Sequence, residues 1–309
     1  MQWVMTKRVN TFTNRAYDGN PCWVVIGADR AEDEKKFVKL SSELNPVSDT
    51  VFVFPENSAE ADLFLRFFSK SEEIGFSGHG TIAAYLGAEG EGIFELTEPI
   101  TLIRQRTKSG IQHLELRIKN EKIERVTVSL PVPQFISIPL DIKQIARFLG
   151  IPKNDIQDST YPVGIVSSPG STNIIVPVET CDVLLNINPS FTVMKSFCDR
   201  MQMTGVVVYC LETREKGHTA HMRHFAPSVG IDEDPVSGAA SASLGCYLVH
   251  NRIMPLSEMT RIIIEMGYAL KRPGRVYIHV HSYKNQIMKV TFGGQGVITF
   301  EGRTLLPED

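Results

Sequence analysis

The sequence predicts an α+β protein of two similarly built lobes, each with many strands around one buried helix, and three observations carry that expectation. First, one unit occurs twice. Arg66-Phe-Phe-Ser leads through a short loop to Gly78-His79-Gly80-Thr81-Ile-Ala-Ala-Tyr-Leu-Gly87. Arg223-His-Phe-Ala-Pro227 leads through another to Ser237-Gly238-Ala239-Ala240-Ser-Ala-Ser-Leu-Gly-Cys-Tyr247. Second, a chain of 309 residues exceeds one typical domain, and the repeat puts the division near its middle. Third, alternating and β-branched runs outnumber helical patterns. The expected lobes are 1–132 and 133–309, divided near Pro131 and Pro133, with a possible return of the last strand to the first lobe left open.

Along the first half, segments 2–12 and 23–27 read as strands around the turn Gly19-Asn20-Pro21. Ala31 to Leu44 reads as a helix, with Phe37, Val38 and Leu40 among charged positions. Strands follow at 50–54 and 61–68, then the small-residue helix from His79 to Gly87, stopped by the glycine-rich run to Gly92. Three more strand-like runs cover 101–106, 111–118 and 123–129. The second half has a helix at 142–149, strands at 163–167 and 173–178, a helix at 191–201, and strands at 205–211 and 219–225. After the second small-residue helix come strands at 260–266, 275–281, 287–292 and 297–300, with Gly293-Gly-Gln-Gly296 read as a turn. A helix that is mostly apolar and rich in Ala, Gly and Ser is one that strands wrap closely. Two such lobes facing each other would leave a cleft with a helix N-terminus on each wall. The partial positive charge and backbone N–H groups there suit an anionic ligand.

Bulk composition narrows the function. With 42% hydrophobic and 22% charged residues the chain is ordinary for a globular protein, and its net charge of −3 gives no electrostatic case for nucleic acid. No apolar run reaches the roughly 18 residues of a membrane span, and the first residues lack the pattern of a signal peptide. Cysteines 22, 181, 198, 210 and 246 form an odd set without Cys-x-x-Cys spacing, so no disulfide framework is expected and the cytoplasm is the expected compartment. His218, His221 and His224 have metal-like spacing, but their segment reads as a strand, which points 221 away from the other two, so no metal site is expected. Gly293-Gly-Gln-Gly296 is no dinucleotide fingerprint, because strand-like residues follow it.

Three residues are candidates for chemistry. His79 follows Gly78 at a helix start, where a neutral imidazole can both accept and donate a proton. Asp234 directly precedes Pro235 and the second glycine, which restricts its backbone. Its neighbours Asp232 and Glu233 read as solvated loop acids. Asp49, in Pro46-Val-Ser-Asp-Thr50, read alone is turn chemistry.

Taken together, Gly19-Asn20-Pro21, Ser48-Asp49-Thr50-Val-Phe, Gly78-His79, Arg223-x-Phe-Ala-Pro227, Gly230-Ile-x-Glu233-Asp234-Pro235-x-Ser237-Gly238, Gly267, Arg272-Pro-Gly274 and Phe292-Gly-Gly294 resemble the PhzF-like isomerases of phenazine biosynthesis. The resemblance runs in order over nearly the whole chain. It implies a diaminopimelate epimerase-like fold: two pseudo-symmetric lobes, each a curved, mostly antiparallel sheet or barrel around a central helix. It also implies a homodimer, and a proton shift on a small cyclic or aromatic carboxylate, such as a dihydro-hydroxyanthranilate, without metal or organic cofactor. Asp49, His79 and Asp234 would be catalytic. Gly78, His79, Asp234, Gly238 and Ala239 would hold the substrate, with Asn20 and Ser237 beside them. Two departures leave a second reading open, a catalytically weak or inactive ligand-binding or protein-interaction member of the same fold. Asp49 stands where the family has glutamate, with one residue added after Asn45, and Ala239 and Ser237 stand where it usually has serine and threonine. The two-thiol racemases of related fold would need cysteines where His79 and Ala239 stand.

Overall fold

A computed structural model describes residues 2–31, 33–44, 49–56, 58–168 and 170–308. The added residue after Asn45, and Ser48 with it, lie outside the described residues. The chain divides into two compact units, one formed by residues 1–129 with 293–309 and the other by 130–292.

The first unit begins with β1 (Trp3–Thr11), β2 (Asn20–Ile26), α1 (Glu34–Leu44), β3 (Thr50–Pro55), β4 (Leu63–Phe68) and β5 (Glu73–Ile74). It continues with α2 (Gly78–Ala88), β6 (Ile100–Thr107), β7 (Gly110–Lys119) and β8 (Lys122–Leu130). The second unit holds β9 (Gln134–Ile136), α3 (Ile142–Leu149), β10 (Gly164–Ser168), β11 (Ser171–Pro177), α4 (Cys181–Asn186), α5 (Phe191–Met201), β12 (Gly205–Cys210) and β13 (Ala220–Ala226). Then follow β14 (Ile231–Asp234), α6 (Gly238–His250), β15 (Met259–Met266), β16 (Gly274–Tyr283) and β17 (Gln286–Gly294). The last strand, β18 (Gly296–Leu305), pairs antiparallel with β1.

The repeat seen in the sequence is a repeat of connectivity. In the first unit β1 pairs antiparallel with β2, β2 parallel with β3, and β3 antiparallel with β4. β4 then takes β5 antiparallel and β6 parallel, and β6 pairs antiparallel with β7. In the second unit β10, β11, β12, β13, β14, β15 and β16 make the same pairings in the same order. The fold is therefore α+β with two units of one pattern, each a mixed sheet rather than a closed barrel.

Both small-residue helices are buried nearly all round, from Gly80 to Ala88 in α2 and from Ala240 to Val249 in α6. A Cβ at Gly87 would stand 2.9 Å from Val24 Cγ2, and one at Gly245 would stand 3.0 Å from Ile278 Cγ2. Glycine is thus what lets β2 and β16 approach the helices. Each helix also anchors a phenol: Tyr85 Oη donates to Gln105 Oε1 at 3.1 Å and Tyr247 Oη to the Pro162 carbonyl at 2.5 Å. Burial raises the pKa of both, that of Tyr247 to about 12. On another face of the first unit α1 covers a cluster of Val4, Val25, Phe52, Phe54, Phe68 and Leu306, with Phe37 4.3 Å from Phe52 between ring centroids.

Three parts of the sequence reading are corrected. Gly293 and Gly294 close β17 and Gly296 opens β18, so only Gln295 interrupts the strands where a turn was expected. Asp232 and Glu233 lie in β14 and not in a loop, because Arg223 on the neighbouring strand neutralises Glu233 in a two-pronged pair, both bonds 2.8 Å. The helix α4, unmarked in the sequence reading, starts at a Thr180 side chain that accepts from Val183 N–H.

Candidate active site

Asp49 immediately precedes β3, and the parallel register of Trp23 with Thr50 brings Cys22 beside it. The Cys22 thiol donates to the Asp49 carbonyl at 3.2 Å. Burial, with Asp49's charge adding to it, pushes that thiol well above its usual range, so Cys22 is an inert neutral group here.

The acid meets the start of α2 through a residue that the sequence reading did not single out. Ser77 caps α2: its Oγ accepts from Gly80 N–H at 3.2 Å, and its carbonyl accepts from Thr81 N–H at 2.8 Å. The same hydroxyl donates to Asp49 Oδ2 at 2.5 Å and lies 3.3 Å from His79 Nδ1. A serine hydroxyl has one proton and two lone pairs. With its proton on the carboxylate, Oγ can accept from both Gly80 N–H and a protonated Nδ1. His79 Nε2 stands 3.7 Å from the same Asp49 oxygen, and both side chains are 14% exposed. That spacing exceeds a hydrogen bond, so proton exchange between them needs a small closing movement or a group placed between them. Limited exposure keeps both reachable while removing most of their water. Asn20 opens β2, buried, with its carbonyl accepting from Thr11 Oγ1 at 3.0 Å. Gly78 is the first residue of α2.

In the second unit Asp234 ends β14, directly opposite His224 of β13. Its Oδ2 stands 3.8 Å from His224 Nδ1. Ser237 caps α6 by accepting from Ala240 N–H at 3.4 Å, and its own N–H points to Met266 Sδ at 3.3 Å. Gly238 and Ala239 are the first two residues of α6. The structure thus brings Asp49 and His79 together in the first unit and sets Asp234, Ser237, Gly238 and Ala239 around one helix start in the second. The signal for Ser77 was in the repeat, since Ser77-Gly78 and Ser237-Gly238 are the same pair of residues at the same place.

No group of three or more His, Cys, Asp or Glu among the described residues is arranged to hold a metal ion. His218 and His221 flank Glu265, with Cys181 beside His221. His218 Nδ1 is 2.8 Å from its Oε2, and His221 Nδ1 is 3.4 Å from its Oε1 and 3.0 Å from Cys181 Sγ. Among the described residues no helix is long and apolar enough to cross a membrane.

A profile of the phenazine biosynthesis-like proteins, PhzC-PhzF, matches residues 9–302. An uncharacterized isomerase of Clostridium acetobutylicum is 27% identical over 301 residues, covering 97% of each chain. The crystal structure of a phenazine biosynthesis protein of the PhzF family from Bacillus anthracis superposes with a TM-score of 0.87 at 26% identity, over 99% of this chain and 100% of that one. A hydroxyproline epimerase from Agrobacterium vitis shares the fold at 11% identity, with a TM-score of 0.62 over 97% of this chain and 92% of its own. The chain belongs to the phenazine biosynthesis-like family, PhzC-PhzF, and is an enzyme of the isomerase class.

Proposed function

We propose that the protein moves a proton between carbons of a small cyclic or aromatic carboxylate, using its own side chains as acid and base. Asp49 takes the carbon-bound proton: a C–H bond breaks, an O–H bond forms, and the electron pair stays in the conjugated substrate. His79 and Asp234 hold or relay protons, so that one returns at a different carbon. The N–H groups at Gly78-His79 and Gly238-Ala239 hold the substrate carboxylate, with Ser237 and Asn20 as further binding groups. The observation that carries this reading is the chain Asp49–Ser77–His79, in which one hydroxyl bonds the acid at 2.5 Å and lies 3.3 Å from the imidazole. Such an arrangement orients a carboxylate whose task is proton transfer.

Turnover by Asp49→Ala and Asp49→Glu proteins tests it. Asp49→Ala is expected to fold and lose turnover, while Asp49→Glu, longer by one methylene, is expected to keep or raise it. Unchanged kcat in a folded Asp49→Ala protein would sink the role.

A further inference from the structure

β13 carries a buried histidine that the scheme above leaves unused. His224 is 5% exposed and stands opposite Asp234 across the β13–β14 ladder, where the register shifts just beyond the pair. Such a shift bends a strand and re-aims its side chains. The other end of the ring is fixed by Asn173 of β11, which is fully buried. Asn173 Nδ2 donates to Ser171 Oγ at 2.9 Å, which turns its Oδ1 toward His224 Nε2 at 3.1 Å. An amide oxygen only accepts, so Nε2 carries the ring proton. In the neutral ring Nδ1 is then a bare lone pair. That nitrogen is buried, has no hydrogen-bond partner among the described residues, and lies 3.8 Å from Asp234 Oδ2.

We propose that His224 positions Asp234 and shares a proton with it, and that Asn173 fixes the nitrogen through which it does so. The inference rests on the role proposed for Asp234. When Asp234 holds a proton, closing the gap by about 1 Å makes a normal hydrogen bond from its O–H to Nδ1. Transfer along that bond breaks O–H and forms N–H, leaving a carboxylate beside an imidazolium. The charges appear as a pair, so the buried site is not left with an isolated ion. Asp234 is then ionised, and it is protonated again when the proton returns along the same bond. A histidine whose remaining nitrogen is aimed at an acid is held in one tautomer by its other partner, the arrangement that orients imidazoles elsewhere.

The test uses the full chain labelled with nitrogen-15 in its histidine rings. At neutral pH the NMR spectrum is expected to show His224 as the Nε2–H tautomer. Asn173→Ala should convert it to a mixture, and Asp234→Asn should move the Nδ1 resonance. A wild-type Nδ1–H tautomer, or an Nδ1 resonance that ignores Asp234→Asn, overturns the proposal. The kinetic arm is His224→Gln, which keeps a polar side chain but cannot take up a proton. It is expected to lower kcat about 10- to 100-fold with KM little changed. Full kcat in His224→Gln, where Asp234→Asn is inactive, also overturns it. If His224→Gln does not fold, Asn173→Ala serves for the kinetics. Full activity of Asp234→Asn would instead remove Asp234 from the reaction, and the spectra would still decide whether the two residues are coupled.

Discussion

Ser77 Oγ lies 2.5 Å from Asp49 Oδ2 while accepting the Gly80 N–H that opens α2, so one hydroxyl ties the helix start to the acid. Ser77→Ala removes both bonds. The lost cap is expected to cost about 1 kcal/mol of stability. The loosened carboxylate is expected to lower kcat about 10- to 100-fold. Ser77→Thr keeps a hydroxyl and should recover most of both. Denaturant unfolding and kcat on the same samples separate the effects, since a protein that loses stability but keeps kcat would reduce Ser77 to a cap.

The two repeated arginines are built alike. Arg66 grips Glu73 with two bonds of 3.0 Å and Arg223 grips Glu233 with two of 2.8 Å, each beside phenylalanine rings. Arg223 Nη1 also donates to the Leu184 and Ile187 carbonyls. Glu233→Ala leaves a buried guanidinium half satisfied and is expected to cost about 3–5 kcal/mol. Lys195→Ala, which breaks an exposed pair with Asp199, should cost far less. Equal losses in the two variants by urea unfolding would contradict the contrast.

His221 gives a pH signature. Burial, opposed by the Glu265 charge, lowers its pKa from 6.5 to about 4. Between those values the unfolded chain binds the proton that the folded one refuses, so stability is full above about pH 6.5 and falls as pH drops toward 4. His221→Gln is expected to flatten that part of the curve. Thermal unfolding from pH 4 to 7 checks it, and an unchanged slope in the variant would assign the effect elsewhere.

Gly87 tests the close packing of α2. Its missing Cβ would stand 2.9 Å from Val24 Cγ2, so Gly87→Ala is expected to destabilise by about 1–3 kcal/mol. Adding Val24→Ala opens the space and should return part of the loss. A strictly additive double variant would show that Val24 is not the obstacle.

The architecture was legible because the repeat preserved its glycines and because long alternating runs are hard to read as anything but strand. The start of α2 at Gly78 and of α6 at Gly238 stood out for the same reason. Short pieces did not. Asp232 and Glu233 look like loop until Arg223 is known to face Glu233, and that contact comes from pairing and not from local propensity. Gly293 and Gly294 read as a turn, yet a Cβ at Gly294 would stand 2.5 Å from the Phe12 ring, so glycine there serves close packing. His79 could be named from its place at a helix start and Asp49 through the family resemblance, and the repeat matched Ser77 to Ser237, but the reach of the Ser77 hydroxyl to Asp49 was not legible. Serine at a helix start is ordinary capping chemistry, and only the fold shows that Asp49 lies within its reach.

The most direct measurement of the central claim is proton NMR of the wild-type and Asp49→Ala proteins in D₂O with trans-2,3-dihydro-3-hydroxyanthranilate and a panel of related small carboxylates. The expected result is loss of a substrate resonance as product forms with deuterium on a new carbon, in the wild-type protein alone. Equal conversion by a folded Asp49→Ala protein, or no exchange by either protein across the panel, would contradict it.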